Sequence, residues 1–151
     1  MPDILKKLNF KDQSEILVLN PPLSFEPVLA SLQGVTIHRS LAEMQGIYFM
    51  LAFVTRQHEL DEISAAMANK APGDAVVWFA YPKGSSKRYK AEFNRDTGWH
   101  VLGEAGFEPV RLVAIDEDWS ALRFRRVAFI KDMKRRSSMA LSDVGKSRTK
   151  L

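Results

Sequence analysis

Short, nearly continuous apolar runs alternate along the chain with amphipathic and polar stretches. The runs are Ile16-Leu17-Val18-Leu19, Val35-Thr36-Ile37-His38, Tyr48-Phe49-Met50-Leu51-Ala52-Phe53-Val54, Ala75-Val76-Val77-Trp78-Phe79-Ala80-Tyr81 and Val110-Arg111-Leu112-Val113-Ala114-Ile115. Runs of this length, bounded by turn residues, predict strands buried on both faces. Between them the apolar period lengthens to that of a helix. Ile4, Leu5 and Leu8 share a face within residues 3–9. Phe25, Val28, Leu29 and Leu32 follow Pro21-Pro22, with Ser24 as the expected N-cap, Pro27 in the first turn and Gly34 as the stop. Residues 40–45 predict one helical turn.

The clearest helix pattern starts at Thr55, read as its cap, and reaches about Lys70. Leu60, Ile63 and Met67 face inward, and Glu59, Asp61 and Glu62 sit in the early turns, where the helix dipole favours acids. Ala71-Pro72-Gly73-Asp74 ends it. A further helix carries Trp99, Leu102 and Ala105, with Asn94 or Asp96 as its cap and Gly106 as its end. A sixth apolar run, residues 121–130, returns after the short turn Asp116-Glu117-Asp118-Trp119-Ser120. The pair predicts an antiparallel hairpin.

Strands alternating with helices imply a mostly parallel sheet with right-handed crossovers and helices on both faces. Four such strands, then a fifth and an antiparallel sixth, resemble the layout of the class I AdoMet-dependent methyltransferases over about residues 14–130. The expected fold is therefore α/β, a three-layer Rossmann-like, methyltransferase-like sheet of about six strands, and the resemblance implies the order 2-1-3-4-6-5. Residues 1–130 form the single expected domain. Residues 131–151, where the apolar pattern collapses, are expected to be a basic, disordered tail.

Charge changes the picture only once it is located. The chain has 22 Lys/Arg and 18 Asp/Glu, a net +4. Seven of the basic residues and two of the acids lie beyond residue 130, so the tail carries +5 and the body −1. An electrostatic case for nucleic acid therefore rests on the tail alone, as a weak, sequence-independent contact. There is no cysteine, so disulfides, thiolate metal sites and a cysteine nucleophile are excluded. The N-terminus does not read as a signal peptide, and no apolar run approaches the ~18–20 residues of a membrane span. A cytoplasmic protein is the expectation.

Ligands of open α/β sheets bind beyond the C-terminal strand ends, at the switch in strand order. The expected order puts that switch between the first and third strands and brings Asn20, Pro21, Thr55 and Arg56 together. His38 and Arg39 flank this crevice on one side, and residues 83–88 and 116–118 flank it on the other. Lys83, Ser85 and Lys87 belong to a basic small-residue loop that could cradle a phosphate, although it lacks P-loop spacing and reads better as a solvated loop. Asp116 and Asp118 bracket an acidic turn that could hold a cation, or could pair with Lys83, Lys87 or Arg88. Three adjacent acids on an extended chain do not converge readily, and the histidines have no metal-ligand spacing, so no metal is assigned. Arg123, Arg125 and Arg126 could pair with acids, bind an anionic partner, or guard a sheet edge. The three tryptophans read as packing.

Asn20-Pro21-Pro22 is similar to the Asn-Pro-Pro-aromatic motif of amino-methylating methyltransferases, but it follows the first strand and has Leu23 in the aromatic place. The family's Gly-rich loop after the first strand is missing, and its acid after the second strand is replaced by His38-Arg39. AdoMet is thereby disfavoured, and NAD by the same logic. No catalytic residue is assigned and no cofactor is evident.

A second resemblance rests on Ala80-Tyr81-Pro82-Lys83-Gly84-Ser85-Ser86-Lys87, on Gly98-Trp99 and Gly106-Phe107, and on the stretch from Val113 to Arg125. Over about residues 15–130 these are similar to a small bacterial domain family of unknown function, which implies a bacterial, stand-alone domain. The expected function is a non-catalytic or degenerate Rossmann-like module binding a protein or a small anionic ligand. The alternative is a minimal, methyltransferase-like transferase using the crevice.

Overall fold

Glu15–Leu19 (β1) buries Ile16, Leu17, Val18 and Leu19, so it needs cover on both faces and strand neighbours on both edges. It has both. In the computed structural model, which describes residues 2–130, β1 lies between Thr36–His38 (β2) and Phe49–Phe53 (β3), parallel to each. Val76–Pro82 (β4) continues the sheet parallel to β3. Phe107–Ala114 (β5) is the far edge, and Trp119–Arg126 (β6) runs antiparallel between β4 and β5. The order is β2-β1-β3-β4-β6-β5, as the methyltransferase resemblance implied. The basic tail lies outside the described residues.

Two apolar layers sandwich the sheet. Asp3–Lys7 (α1), the turn residue Phe25 and Glu26–Ala30 (α2) place Leu5, Phe25 and Leu29 in one core with Phe49, Phe53 and Trp78. Gln57–Ala68 (α3) and His100–Glu104 (α4) place Leu60, Met67 and Leu102 in the other with Phe79, Leu122 and Phe124. The indole Nε1 of Trp78 donates to the Leu8 carbonyl at 2.7 Å in the buried interior. That bond fastens the N-terminal segment to a central strand and satisfies the buried indole donor.

Helix length decides where the sheet stays bare. At twelve residues α3 has an ordinary length, whereas α4 has only five against a typical ~11–12. Alternation along the strands and the observed register put Tyr81, Ser120, Leu122, Leu112 and Ala114 on the α4 face. The short helix covers Leu122 but leaves Leu112 45% exposed. An uncovered patch therefore lies beside the C-terminal end of β4.

The caps differ from the sequence reading. Ser24 lies inside a 3-10 turn, Leu23–Phe25, and makes no cap; α2 follows directly, with Pro27 in its first turn. Thr55 does not cap α3, whose N-cap is Arg56 without a side-chain bond. The carboxylate of Glu59 reaches back instead and accepts from the Thr55 N–H at 3.1 Å. Neither Asn94 nor Asp96 caps α4; the Asn94 side-chain oxygen accepts from the N–H groups of Asp96 and Thr97, which tightens the preceding turn. The arginine cluster sits on an inner strand and so guards no edge. Arg125 grips Asp74 through two hydrogen bonds of 2.9 and 2.6 Å, and Arg126 donates to the Ala68 and Ala71 carbonyls at the end of α3 while lying over Phe107.

Candidate functional site

The C-terminal ends of β1, β2, β3, β4 and β5 share one edge, and every sequence-predicted site residue lies along it. The switch falls between β1 and β3, where Asn20 and Thr55 meet. Asn20 adopts φ +54, a left-handed turn that asparagine tolerates better than most residues. Its Nδ2 lies 3.5 Å from both the Phe53 carbonyl and Glu59 Oε2, at the outer limit of hydrogen bonding.

The electrostatics of this crevice oppose an anion. The start of α3 would be a natural anion site, but acids of the chain already occupy it. Besides Glu59 on Thr55, Glu92 accepts from the Gln57 N–H at 2.8 Å, and its own N–H donates to the Thr55 carbonyl at 2.9 Å. Arg56 is exposed and makes no ion pair with the described residues. The neighbouring apolar space is filled by rings: Phe25 packs on Phe53 at 5.2 Å, and Phe53 on Trp119 at 5.1 Å. Sequence reasoning placed Glu59 only as a dipole partner and missed Glu92, whose contact spans 35 residues and leaves no local signal.

The flanks are also engaged. His38 bridges Glu15, at 3.1 Å, and Glu43, at 3.4 Å, and those hydrogen bonds raise its pKa above the ordinary 6.5. Arg39 forms a bidentate pair with Glu26 at 2.9 and 2.8 Å, which lowers the pKa of Glu26.

In the loop after β4 the structural serine is Ser86, not Ser85. Ser86 is buried; its hydroxyl donates to Asp118 Oδ1 at 2.8 Å and accepts from the Tyr89 N–H at 3.1 Å. Ser85 and Lys87 are exposed. The acidic turn does not pair with the basic side chains as expected. Asp118 takes the Ser86 hydroxyl, and its carbonyl accepts from the Lys83 N–H. Asp116 Oδ1 accepts from the N–H groups of Asp118 and Trp119. Both carboxylates thus hold a turn. Among the described residues no group of three or more His, Asp or Glu could hold a metal ion.

The bare sheet face opens instead into a pocket of about 620 Å³. Its floor includes Tyr81, Leu112 and Ser120, and its wall is the segment after the loop, with Tyr89 and Phe93. Lys83, Lys90 and Arg95 line it against a single acid, Glu92. Neither lysine ion-pairs with a described carboxylate, and Arg95 approaches only its neighbour Asp96, at 3.8 Å with both side chains exposed. Burial raises the pKa of the Tyr81 phenol; nearby Arg95 opposes that shift and Asp96 adds to it. The phenol therefore remains a hydrogen-bond donor at neutral pH. Of the sequence-predicted residues only Lys83 lines this pocket. The missed signal was the run Tyr89-Lys90-Ala91-Glu92-Phe93-Asn94-Arg95, in which cations and rings alternate.

Architecture is what relates this chain to known proteins. Over 83% of its length it superposes on TrmN from Thermus thermophilus, at 12% identity and a TM-score of 0.50, covering 47% of that chain. The chain has a methyltransferase-like fold. The same holds for the pyocyanin biosynthetic protein PhzM, at 12% identity, TM-score 0.50, 83% of this chain and 53% of that one. A chain from Sulfolobus solfataricus assigned as a type 11 methyltransferase gives 7% identity and a TM-score of 0.50, over 90% of this chain and 95% of that one. The present chain thus spans about half the length of the first two. No family model and no curated protein matches it, so the resemblance to a bacterial family of unknown function stands on the quoted residues alone. Among the described residues no helix is long and apolar enough to cross a membrane.

A methyltransferase-like fold raises the question of AdoMet. The residues at the switch do not fit it. Pro21 and Pro22 offer no N–H groups where close backbone approach is needed. The ribose position after β2 presents a histidine whose pKa is raised, and no free acid.

Proposed function

We propose that this chain is a methyltransferase-like domain that binds a small anionic ligand in the pocket beside β4, and that the ancestral switch-point site is degenerate. The observation that carries the reading is the contrast between two places on one sheet edge. At the switch, Glu59 and Glu92 occupy the backbone donors that an anion would use. Beside β4, Lys83, Lys90 and Arg95 outnumber Glu92 in a pocket of about 620 Å³, within the ~300–1,000 Å³ typical of small-molecule sites. Fold alone does not imply function, so the transferase alternative rests on the likeness to methyltransferases and gains nothing from the residues at the switch.

Thermal shift of the full chain against a panel of phosphates, sulfates, di- and tricarboxylates, AdoMet and NAD tests this. An anion present at ~100-fold its dissociation constant contributes ~2.7 kcal/mol of stabilisation, and Lys83→Glu with Lys90→Glu removes it. Stabilisation by AdoMet that survives the double charge reversal would overturn the proposal in favour of the transferase. A flat response to every anion would overturn it in favour of a protein-binding module.

A further inference from the structure

The pocket is more than a cationic patch, and its two halves differ in chemistry. The bare sheet supplies an apolar floor from Leu112, which is 45% exposed, beside the largely buried ring of Tyr81. Phe93 adds a second ring, held between Tyr81 at 6.1 Å and Trp99 at 5.3 Å. Tyr89 lines the pocket too, but its ring turns to the other face of the sheet, onto Trp119 at 5.0 Å. These rings are anchored by buried partners, so a ligand meets a preformed surface and little side-chain freedom is lost on binding. An exposed leucine on an edge strand beside such rings is an unsatisfied apolar surface at a polar rim.

The rim is cationic and faces the same space. Lys83 is delivered by the end of β4; Lys90 and Arg95 come from the wall segment. Their charge exceeds that of Glu92 by two, as shown by the three cations and one acid lining the pocket. Such a balance suits a dianion better than a monocarboxylate, and a phosphate monoester is close to a dianion at neutral pH, its second pKa being ~6. Free inorganic phosphate would satisfy the rim and leave the floor wet. An uncharged planar molecule would cover the floor and leave the cations unmatched.

Resting on the anion-binding reading above, we infer that the ligand class is a phosphate monoester carried on a planar ring system, its ring on Leu112 beside Tyr81 and Phe93 and its phosphate among Lys83, Lys90 and Arg95. The pocket lies away from the β1–β3 switch, with different donors, so this is not a displaced AdoMet site.

Calorimetric titration of the full chain with AMP, adenosine and inorganic phosphate tests the inference. AMP is expected to bind at least roughly tenfold more tightly than either fragment, a factor of ten corresponding to ~1.4 kcal/mol. The tail carries +5 and will attract phosphates on its own, so two pocket variants assign the binding. Lys83→Glu with Lys90→Glu should weaken AMP by roughly tenfold or more while leaving adenosine unchanged. Leu112→Asn should weaken AMP and adenosine together and leave inorganic phosphate unchanged. Melting temperatures of both variants within a few degrees of the parent establish that they fold.

AMP binding no better than phosphate would overturn the inference and leave the anion reading standing. So would tight binding of a carboxylate that AMP cannot displace. AMP binding that survives both pocket variants assigns it to the tail and overturns the inference. Failure of every anion to bind overturns both readings.

Discussion

Gly98→Ala offers a sharp test of how the pocket wall is held. Gly98 has φ +99, a conformation L side chains rarely adopt, and a Cβ there would lie 2.6 Å from Phe93 Cβ and 2.7 Å from Gln57 Oε1. Its carbonyl also accepts from Gln57 Nε2 at 2.8 Å, tying the wall segment to the first turn of α3. The left-handed backbone costs ~1–2 kcal/mol with a Cβ present, and overpacking adds ~1–3 kcal/mol. A stiffer unfolded chain offsets ~0.4–1 kcal/mol of this. The net loss is roughly 1.5–4 kcal/mol, or about 6–16 °C at roughly 4 °C per kcal/mol for a domain of this size.

Gly73 supplies the control. It too has positive φ, +57, but a Cβ there meets nothing within 4 Å. Gly73→Ala therefore carries a left-handed backbone cost with no overlap, and the excess loss at Gly98 reports the overlap with Phe93 and Gln57 together with its wider φ. Urea unfolding at fixed pH measures both. Equal stabilities for the two variants would refute the claim that Phe93 and Gln57 press against Gly98, and with it the description of the wall as rigid.

Trp78→Phe leaves the Leu8 carbonyl buried without its donor, a cost of ~1–3 kcal/mol; urea unfolding should show that loss together with a frayed N-terminal segment in hydrogen exchange. Ser86→Ala removes two hydrogen bonds of a buried hydroxyl and should cost ~1–2 kcal/mol, whereas Ser85→Ala stays within ~0.5 kcal/mol; thermal melts of the pair decide whether the loop depends on the second serine rather than the first. His38 has a raised folded-state pKa because Glu15 and Glu43 accept from its ring. Its contribution is complete below the ordinary value of 6.5 and fades as pH rises through the higher folded value. His38→Gln should therefore be more damaging at ~pH 5.5 than at ~pH 8.5, and a pH-independent loss in chemical denaturation would contradict the bridging role.

The strand runs, their alternation with helices and the closing hairpin were enough to specify a mostly parallel α/β sheet from the sequence, because each buried strand needed cover on both faces; the strand order came from the resemblance to the methyltransferase layout. Residues 16–19 and 49–53 announce inner strands by being apolar throughout, and the hairpin around Asp116–Asp118 is set by a turn too short for a crossover. The shared C-terminal edge of the strands followed from strand direction alone. What the edge does was decided by tertiary contacts. Glu92 meets Gln57 across 35 residues of chain, Ser86 meets Asp118 across 32, and no local pattern records either pairing. The pocket itself arises from a shortage of cover. Five residues of α4 cannot span three strands, and the floor left bare at Leu112 faces cations that the sequence distributes between β4 and the segment after it. Periodicity reports which side of an element is apolar; only the assembled sheet decides which part of that side remains open to a ligand.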